Sequence, residues 1–440
     1  MKVKVLSRNP DDYLRETKRD IPKIPRNYDP VQHPFEAARE YVRAMNSAKL
    51  DRLFAKPFIG SLGGHRDGVQ SLLCHPRSLS TVASGSYDGE IRIWNLAEQK
   101  CIRTVQAHRG MVRSMCFGSS GSHVFSVGDD QNIKQWNLDD FHEPVNTILS
   151  KSSLLSIDHH FDEAKFATGG DAVEIWDEAR SHPIRSFSWG ADSIQAVRFN
   201  RVETNVLASC AADRSIVLHD IRLADSLRKV VLTMKSNSLC WNPMEAFIFT
   251  VANEDYKCYS FDMRNLSSPV MVYMDHVSAV LDLDYSPTGK EFVTASYDKT
   301  IRIFPVDKGR SREIYHTKRM QRVTTVKYSR DDKYIVSGSD EMNLRLWKAH
   351  ASEKLGYLGP REQSAARYNE KLKDKFGHHP QVKRILRHRH LPKHVYNAKK
   401  QNEESRFSKK RKEANRRAHS KPGAVPHVPE RSKVAIKEQE

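Results

Sequence analysis

The stretch ASGSYDGEIRIW (83–94) runs from small residues through an acidic turn into an alternating strand that ends on an aromatic. Six further copies follow it: SVGDDQNIKQW (126–136), ATGGDAVEIW (167–176), SCAADRSIVLH (209–219), VANEDYKCYSF (251–261), TASYDKTIRIF (294–304) and SGSDEMNLRLW (337–347). The closing residues Trp94, Trp136, Trp176, His219, Phe261, Phe304 and Trp347 are spaced 42, 40, 43, 42, 43 and 43 apart. A period of about 40–45 residues with this content is that of a four-stranded propeller blade. Seven copies predict an all-β chain closed into a seven-bladed β-propeller.

The local chemistry agrees. A strand of small and β-branched residues, TVASGS (81–86), precedes the turn, and Ile91, Ile93 and Leu96 frame Arg92 and Trp94 after it. Asp88-Gly89 suits a tight hairpin. Some repeats also open on a histidine, at Gly64-His65, Ala107-His108 and Asp275-His276. The first two repeats resemble the full WD-repeat signature. His65, a serine at 84 or 86, Asp88 and Trp94 are expected to form a buried hydrogen-bonded chain, and His108, Ser126, Asp130 and Trp136 a second. Such a network locks strand register once it is fully satisfied. Histidine–aspartate pairs are also the material of catalysis, but on this fold their reading is structural. Repeats three to five lack the opening histidine and repeats four to six lack the tryptophan. There aromatic packing is expected to take over more of the closure. The seventh repeat stops at its third strand, LRLW (344–347). PFIGSL (57–62) is expected to supply the missing outer strand, with EKLGYL (353–358) as the competing choice. Closure matters because an open sheet edge invites aggregation.

Charge divides the 440 residues unevenly. Residues 57–347 hold 34 Lys+Arg against 36 Asp+Glu, a net −2. Residues 1–56 hold 13 against 8, and residues 348–440 hold 25 against 10, a net +15. A basic end on a neutral body points to an anionic partner. The expected division is an N-terminal arm (1–56), the propeller (57–349) and a basic helical C-terminal domain (350–440). No apolar run of about 18 residues is present, so no membrane span is expected. The opening MKVKVLSRNPDDYLRE lacks the apolar core of a secretion signal. Cys74, Cys101, Cys116, Cys210, Cys240 and Cys258 are scattered, as free thiols in a reducing compartment would be.

In the arm, DIPKIPRNYDP (20–30) reads as extended. HPFEAAREYVRAMNSAKLDRLF (33–54) reads as a helix with Ala38, Tyr41, Val42, Met45, Leu50 and Leu53 on one face. In the C-terminal region, REQSAARYNEKLKDKF (361–376) reads as a helix with the stripe Ala365, Tyr368, Leu372 and Phe376, which Gly377 can stop. PQVKRILRHRHLPKHVY (380–396) sets Val382, Ile385 and Leu386 among Lys383, Arg384, Arg387, Arg389 and Lys393. SKKRKEANRRAHSKP (408–422) adds Lys409, Lys410, Arg411, Lys412, Arg416 and Arg417 with almost no apolar content. Basic helices of this kind suit RNA phosphates or an acidic protein groove, and arginine-rich segments often fold only on RNA. The basic pairs also resemble a bipartite nuclear import signal. His388, His390 and His394 lack the cysteines or carboxylates of a zinc site, so no metal is expected. No phosphate-cradling glycine loop, metal triad or nucleophile motif appears. The expectation is a binding scaffold without cofactor or small-molecule substrate, and not an enzyme.

One resemblance covers essentially the whole chain. RNYDP (26–30), HPFEAAREY (33–41), WNPMEAFIFT (241–250), MDHVSAVLDLDYSPTGKEF (274–292), YHTKRMQ (315–321), SGSDEMNLRLWKA (337–349), RHRHLPK (387–393) and AHSKPG (418–423) together resemble the fibrillarin-suppressor (Sof) family of eukaryotic WD-repeat proteins. The resemblance implies a nucleolar protein of the small-subunit processome, associated with the U3 small nucleolar RNP and required for processing pre-rRNA to 18S rRNA. Its animal members also resemble substrate receptors of cullin-4 ubiquitin ligases, which carry W-D-x-R at the end of a blade strand. HDIR (219–222) and FDMR (261–264) keep Asp220, Arg222, Asp262 and Arg264 while replacing the tryptophan. WDEAR (176–180) places Arg180 one position late. The resemblance implies that Arg222 and Arg264 meet the ligase adaptor; the alternative is an ordinary surface ion pair within the ring.

Overall fold

The computed structural model describes residues 35–189 and 192–439. DIPKIPRNYDP, with its RNYDP motif, lies outside the described residues. Seven antiparallel sheets follow one another along the chain. Blade 1 consists of Val69–Cys74, Thr81–Ser86, Glu90–Asn95 and Lys100–Gln106, and the later blades repeat that order. Blade 7 takes its outer strand from the other end of the ring. Phe58–Gly63 pairs antiparallel with Asn343–Lys348, setting Leu62 opposite Leu344 and Phe58 opposite Trp347. Residues 353–358 form no strand. The seam is apolar: Leu62, Val69, Leu72, Val82, Trp94, Val336, Leu344 and Leu346 share one buried cluster.

The acidic turns have a common physical basis. The residue after the acid is left-handed in six blades: Gly89, Gln131, Arg214, Tyr256, Lys299 and Met342 all have φ between 61° and 87°. Left-handed backbone is costly for any residue with a Cβ. The aspartate offsets that cost by accepting the N–H two residues on, at 3.0 Å for Asp88–Glu90, 3.3 Å for Asp130–Asn132, 2.9 Å for Asp213–Ser215, 3.1 Å for Asp255–Lys257 and 3.0 Å for Asp298–Thr300.

The polar networks vary from blade to blade. Blade 2 is complete: His108 Nδ1 lies 2.8 Å from Asp130, its Nε2 2.8 Å from Ser126 Oγ, and Trp136 donates to that hydroxyl at 2.9 Å. Blade 6 joins His276 to Asp298 (3.0 Å) and Thr294 (2.7 Å). In blade 1, His65 meets Ser84 at 2.6 Å and Trp94 donates to the same oxygen at 2.8 Å. Asp88 stands outside that chain, capping its turn; the carboxylate nearest to His65 is that of Glu90, 3.6 Å away. Trp176 and Trp347 donate to Thr168 (2.8 Å) and Ser337 (2.9 Å) without a histidine. In blade 4, His219 takes the tryptophan's place and keeps the bond, meeting Ser209 at 2.9 Å and Ser226 at 2.8 Å. Blades 5 and 6 close by stacking instead, Phe261 on Phe249 and Phe304 on Phe292. All six cysteines are free; Cys116, Cys210 and Cys258 are buried, and burial pushes the Cys74 thiol up to about 12.

Outside the blades, the described residues form four α-helices, α1 (Glu36–Leu53), α2 (Pro360–Phe376), α3 (Pro380–Arg387) and α4 (Lys393–Ala418), and one further strand. The chain forms two compact units. One contains α1, α2 and α3; the other contains residues 56–353 and 389–440. In the first, the buried stripe of α1 is Ala44, Ser47 and Ala48, whereas Val42, Leu50 and Leu53 of the predicted face are exposed. Small side chains let α2 and α3 approach α1 closely, and Tyr41 seals the contact, reaching Gln381 at 2.6 Å and packing on Phe376 and His379. In the second unit, the final strand Ala435–Gln439 adds to Ser226–Leu232 as a fifth strand of blade 4, and Val434 enters the core beside Val230, Leu232 and Leu266. The propeller sheet thus includes residues from the end of the chain.

Gly89→Ala adds a Cβ that runs into the His108 carbonyl at a φ of 87°. It is expected to destabilise the ring by more than about 1 kcal/mol, read as a lower urea midpoint at unchanged slope. Burial, with the Arg92 charge adding to it, lowers His65 from 6.5 to about 4, and burial lowers His219 to about 3. Both are neutral when folded, so the unfolded chain takes up protons first as pH falls. Their contribution is complete above about pH 6.5 and is lost on the way down to the folded values. At pH 5 the loss is about 2 kcal/mol per histidine. Thermal melts at pH 7.5 and pH 5 should show it; a higher melting temperature at pH 5 would contradict this account.

Candidate functional site

With the histidine–aspartate pairs sealed inside the blades, the candidate chemistry lies on two surfaces. The first is on the ring. The strand Ser215–Asp220 of blade 4 ends on Asp220, and Cys258–Asp262 of blade 5 ends on Asp262. Each aspartate accepts the backbone N–H two residues on, at 2.9 Å from Arg222 and 3.0 Å from Arg264, which folds the following arginine back over it. Arg222 then grips Asp220 through Nε (3.1 Å) and Nη2 (2.7 Å). Arg264 does the same to Asp262 at 3.1 and 2.9 Å, with its guanidinium 4.3 Å above the Phe247 ring. The hydrogen bonds from their arginines hold both carboxyls below the usual carboxylate range. The two arginine side chains are nevertheless 66% and 64% exposed. Each is therefore a pre-oriented fork with donors left for an outside acceptor. Leu223 and Phe247 beside them are also exposed, giving the forks an apolar border. Arg180 of the late motif is a looser case, 3.6 Å from Asp177.

The second candidate is basic and helical, and its two parts, α3 and α4, belong to different units. On α3, Val382 is buried, while Lys383, Arg384, Arg387 and His388 line a concavity of about 370 Å³ with Pro380. Pro392 separates α3 from α4. The RHRHLPK stretch across that break is mixed in exposure, with Arg389 half-buried and Lys393 exposed. His390 stacks on His316, with ring centroids 5.3 Å apart and a nitrogen–nitrogen distance of 3.3 Å. Burial lowers His316, and His390 and His394 lower it further. Among the described residues no group of three His, Cys, Asp or Glu side chains could hold a metal ion.

The helix α4 is docked at its start. Val395 is buried, and Lys399 reaches Asp275 of the ring at 3.2 Å. That carboxylate is itself buried beside Arg302 and accepts from Ser311 twice. The far half of α4 carries the basic run, which is helical along its whole length to Ala418. Lys410 pairs with Glu430 at 3.2 Å and Arg417 with Glu413 at 3.9 Å. Lys409, Arg411, Lys412 and Arg416 are exposed. Among the described residues no ion pair is recorded for those four. A helix displaying cations this way offers a row of donors to a phosphate backbone or an acidic partner.

A family model described as "Sof1-like domain" matches residues 349–435. The model described as "WD domain, G-beta repeat" matches 56–95, 99–137, 267–304 and 312–348, leaving out blades 3 to 5, whose networks are degenerate. The chain is 60% identical over 441 residues to DDB1- and CUL4-associated factor 13 of Xenopus tropicalis and 62% identical over 441 residues to that of Homo sapiens, with 99% of each chain covered. It is 45% identical over 464 residues to Protein SOF1 of Saccharomyces cerevisiae, covering 99% of this chain and 94% of the yeast protein.

Proposed function

This chain belongs to the Sof1-like family of WD-repeat proteins, and from that premise we propose that it is a scaffold of the nucleolar small-subunit processome, associated with the U3 small nucleolar RNP and needed to process pre-rRNA to 18S rRNA. The observation that carries this reading is the Sof1-like region itself. It combines a net charge of +15 over residues 348–440 with two basic helical faces, α3 and the far half of α4. A nearly neutral ring offers protein-docking faces, and the basic helices supply the sequence-independent attraction that RNA binding needs. The partners are then pre-ribosomal RNA and processome proteins, and the place of work is the nucleus and nucleolus.

A specific observation favours a second role. Asp220–Arg222 and Asp262–Arg264 repeat the same fork geometry on successive blades, and relatives about 60% identical are named for association with DDB1 and CUL4. Under this reading Arg222 and Arg264 bind the ligase adaptor, and the chain acts as a substrate-recognition receptor.

The charge-reversal variant Lys409→Glu/Arg411→Glu/Lys412→Glu/Arg416→Glu leaves the docked half of α4 intact. It should shift the protein from pre-ribosomal fractions to free protein in gradient sedimentation. In vitro, the log–log salt dependence of RNA binding should flatten by about 3, one phosphate contact per cation removed. Normal sedimentation with an unchanged salt slope would refute the proposed role of this run. Separately, Arg222→Ala/Arg264→Ala should abolish adaptor pull-down while leaving ring melting and pre-ribosomal sedimentation unchanged. Full adaptor recovery would remove the two arginines from the second reading.

A further inference from the structure

The last residues of the chain bridge the two blades that bear the arginine forks. Ala435–Gln439 pairs along Ser226–Leu232, the strand that begins four residues after Arg222. From Ala435–Gln439, Glu438 accepts the backbone N–H of Leu266 in blade 5 at 3.3 Å and lies 3.9 Å from Arg228. Arg228 in turn donates to the Arg264 carbonyl at 2.5 Å. Arg431 donates to the carbonyls of Pro269 and Val270. Val434 is buried in the core that also holds Leu266. The segment from Arg264 to Val270 is thus held at its ends and in the middle by groups from blade 4 and from the end of the chain.

This arrangement matters for a fork that must bind from a loop. The Arg264 side chain meets Asp262 and the Phe247 face in its own blade, and its backbone carbonyl is held by Arg228 of blade 4. Leu266 is buried, a buried backbone N–H demands a partner, and here Glu438 supplies it. A loop fixed before binding loses less freedom when a partner docks, and two forks held in one frame can engage a single partner together.

We propose that Arg431–Gln439 is a positioning element of the adaptor surface, clamping the Arg264 loop of blade 5 to blade 4 so that Arg222 and Arg264 act as one site. The inference rests on the adaptor reading above. Glu438 and Arg431 are its positioning residues, and neither is required to touch the adaptor.

The test uses the full-length chain and purified adaptor, with affinity measured by surface plasmon resonance and loop order by hydrogen exchange. Arg431→Ala/Glu438→Ala should weaken binding at least about fivefold, within the usual range of coupling between sites. Exchange should quicken in residues 264–270 and stay unchanged in the other blades. Glu438→Gln keeps an oxygen for the Leu266 N–H and should bind as the unmodified chain does. Unchanged affinity in the double alanine variant, in a protein whose binding Arg222→Ala/Arg264→Ala does weaken, overturns the inference and leaves the adaptor reading standing. Faster exchange throughout the ring overturns it too, since the segment would then be a general support. Binding that is indifferent to Arg222 and Arg264 themselves defeats the adaptor reading, and the clamp with it.

Discussion

The pairing of Phe58–Gly63 with Asn343–Lys348 is the contact on which every other blade depends. A blade buries its two faces only when it has a neighbour on each side. Opened at this seam, the ring would show Val69, Leu72 and Val82 on one side and Val336, Leu344 and Leu346 on the other. It would also leave the outer edge of Asn343–Lys348 with unpaired backbone groups, a template for association with other chains. The two partners stand at opposite ends of the ring sequence, so this contact carries a large loop-closure cost. The apolar seam, with Trp347 and Phe58 packed edge to face, offsets that cost.

Within the ring, one geometric task is met by different chemistry. The closing side chain must fill the blade and hold the second strand to the third. A tryptophan does this with an N–H to a hydroxyl in blades 1, 2, 3 and 7, and His219 does it with a ring nitrogen in blade 4. Phe261 and Phe304 give up the hydrogen bond and stack. The sheets stay regular where the networks are lost, because strand pairing and alternating burial carry the blade, and the polar chain chiefly fixes register. That is why blades 3 to 5 keep their form though their sequences have left the WD-repeat pattern.

The two candidate surfaces suit different ranges of interaction. In the proposed function the basic helices would act through summed charge, which reaches a nucleic acid from about a Debye length away and weakens with salt. The arginine forks would act at contact, through fixed donor geometry, since their aspartates spend part of each guanidinium on orientation. Both surfaces need a rigid base. α4 has one in Val395 and the Lys399–Asp275 pair, and the Arg264 loop has one in the chain's last strand.

The sequence by itself determined the number of blades, the positions of the acidic turns, the basic C-terminal region and the paired Asp-x-Arg motifs. Each is local or periodic, so a short window contains all the physics that produces it. It also offered PFIGSL as the closing strand, but with a competitor, since a strand of six residues does not name its partner. Only the tertiary structure decided the rest. The carboxylate nearest to His65 is Glu90, while Asp88, the expected member, is used by its turn. The buried face of α1 is its small residues, because close approach to α2 and α3 outweighs hydrophobicity there. The last five-residue strand, read from sequence as part of a basic tail, joins blade 4, where Val434 finds a core and Glu438 finds Leu266. The helix and the last strand depend on contacts far apart in sequence, 340 positions for Tyr41–Gln381 and 172 for Leu266–Glu438, and the His65 arrangement on how side chains pack inside a blade, so no pattern within a segment records them.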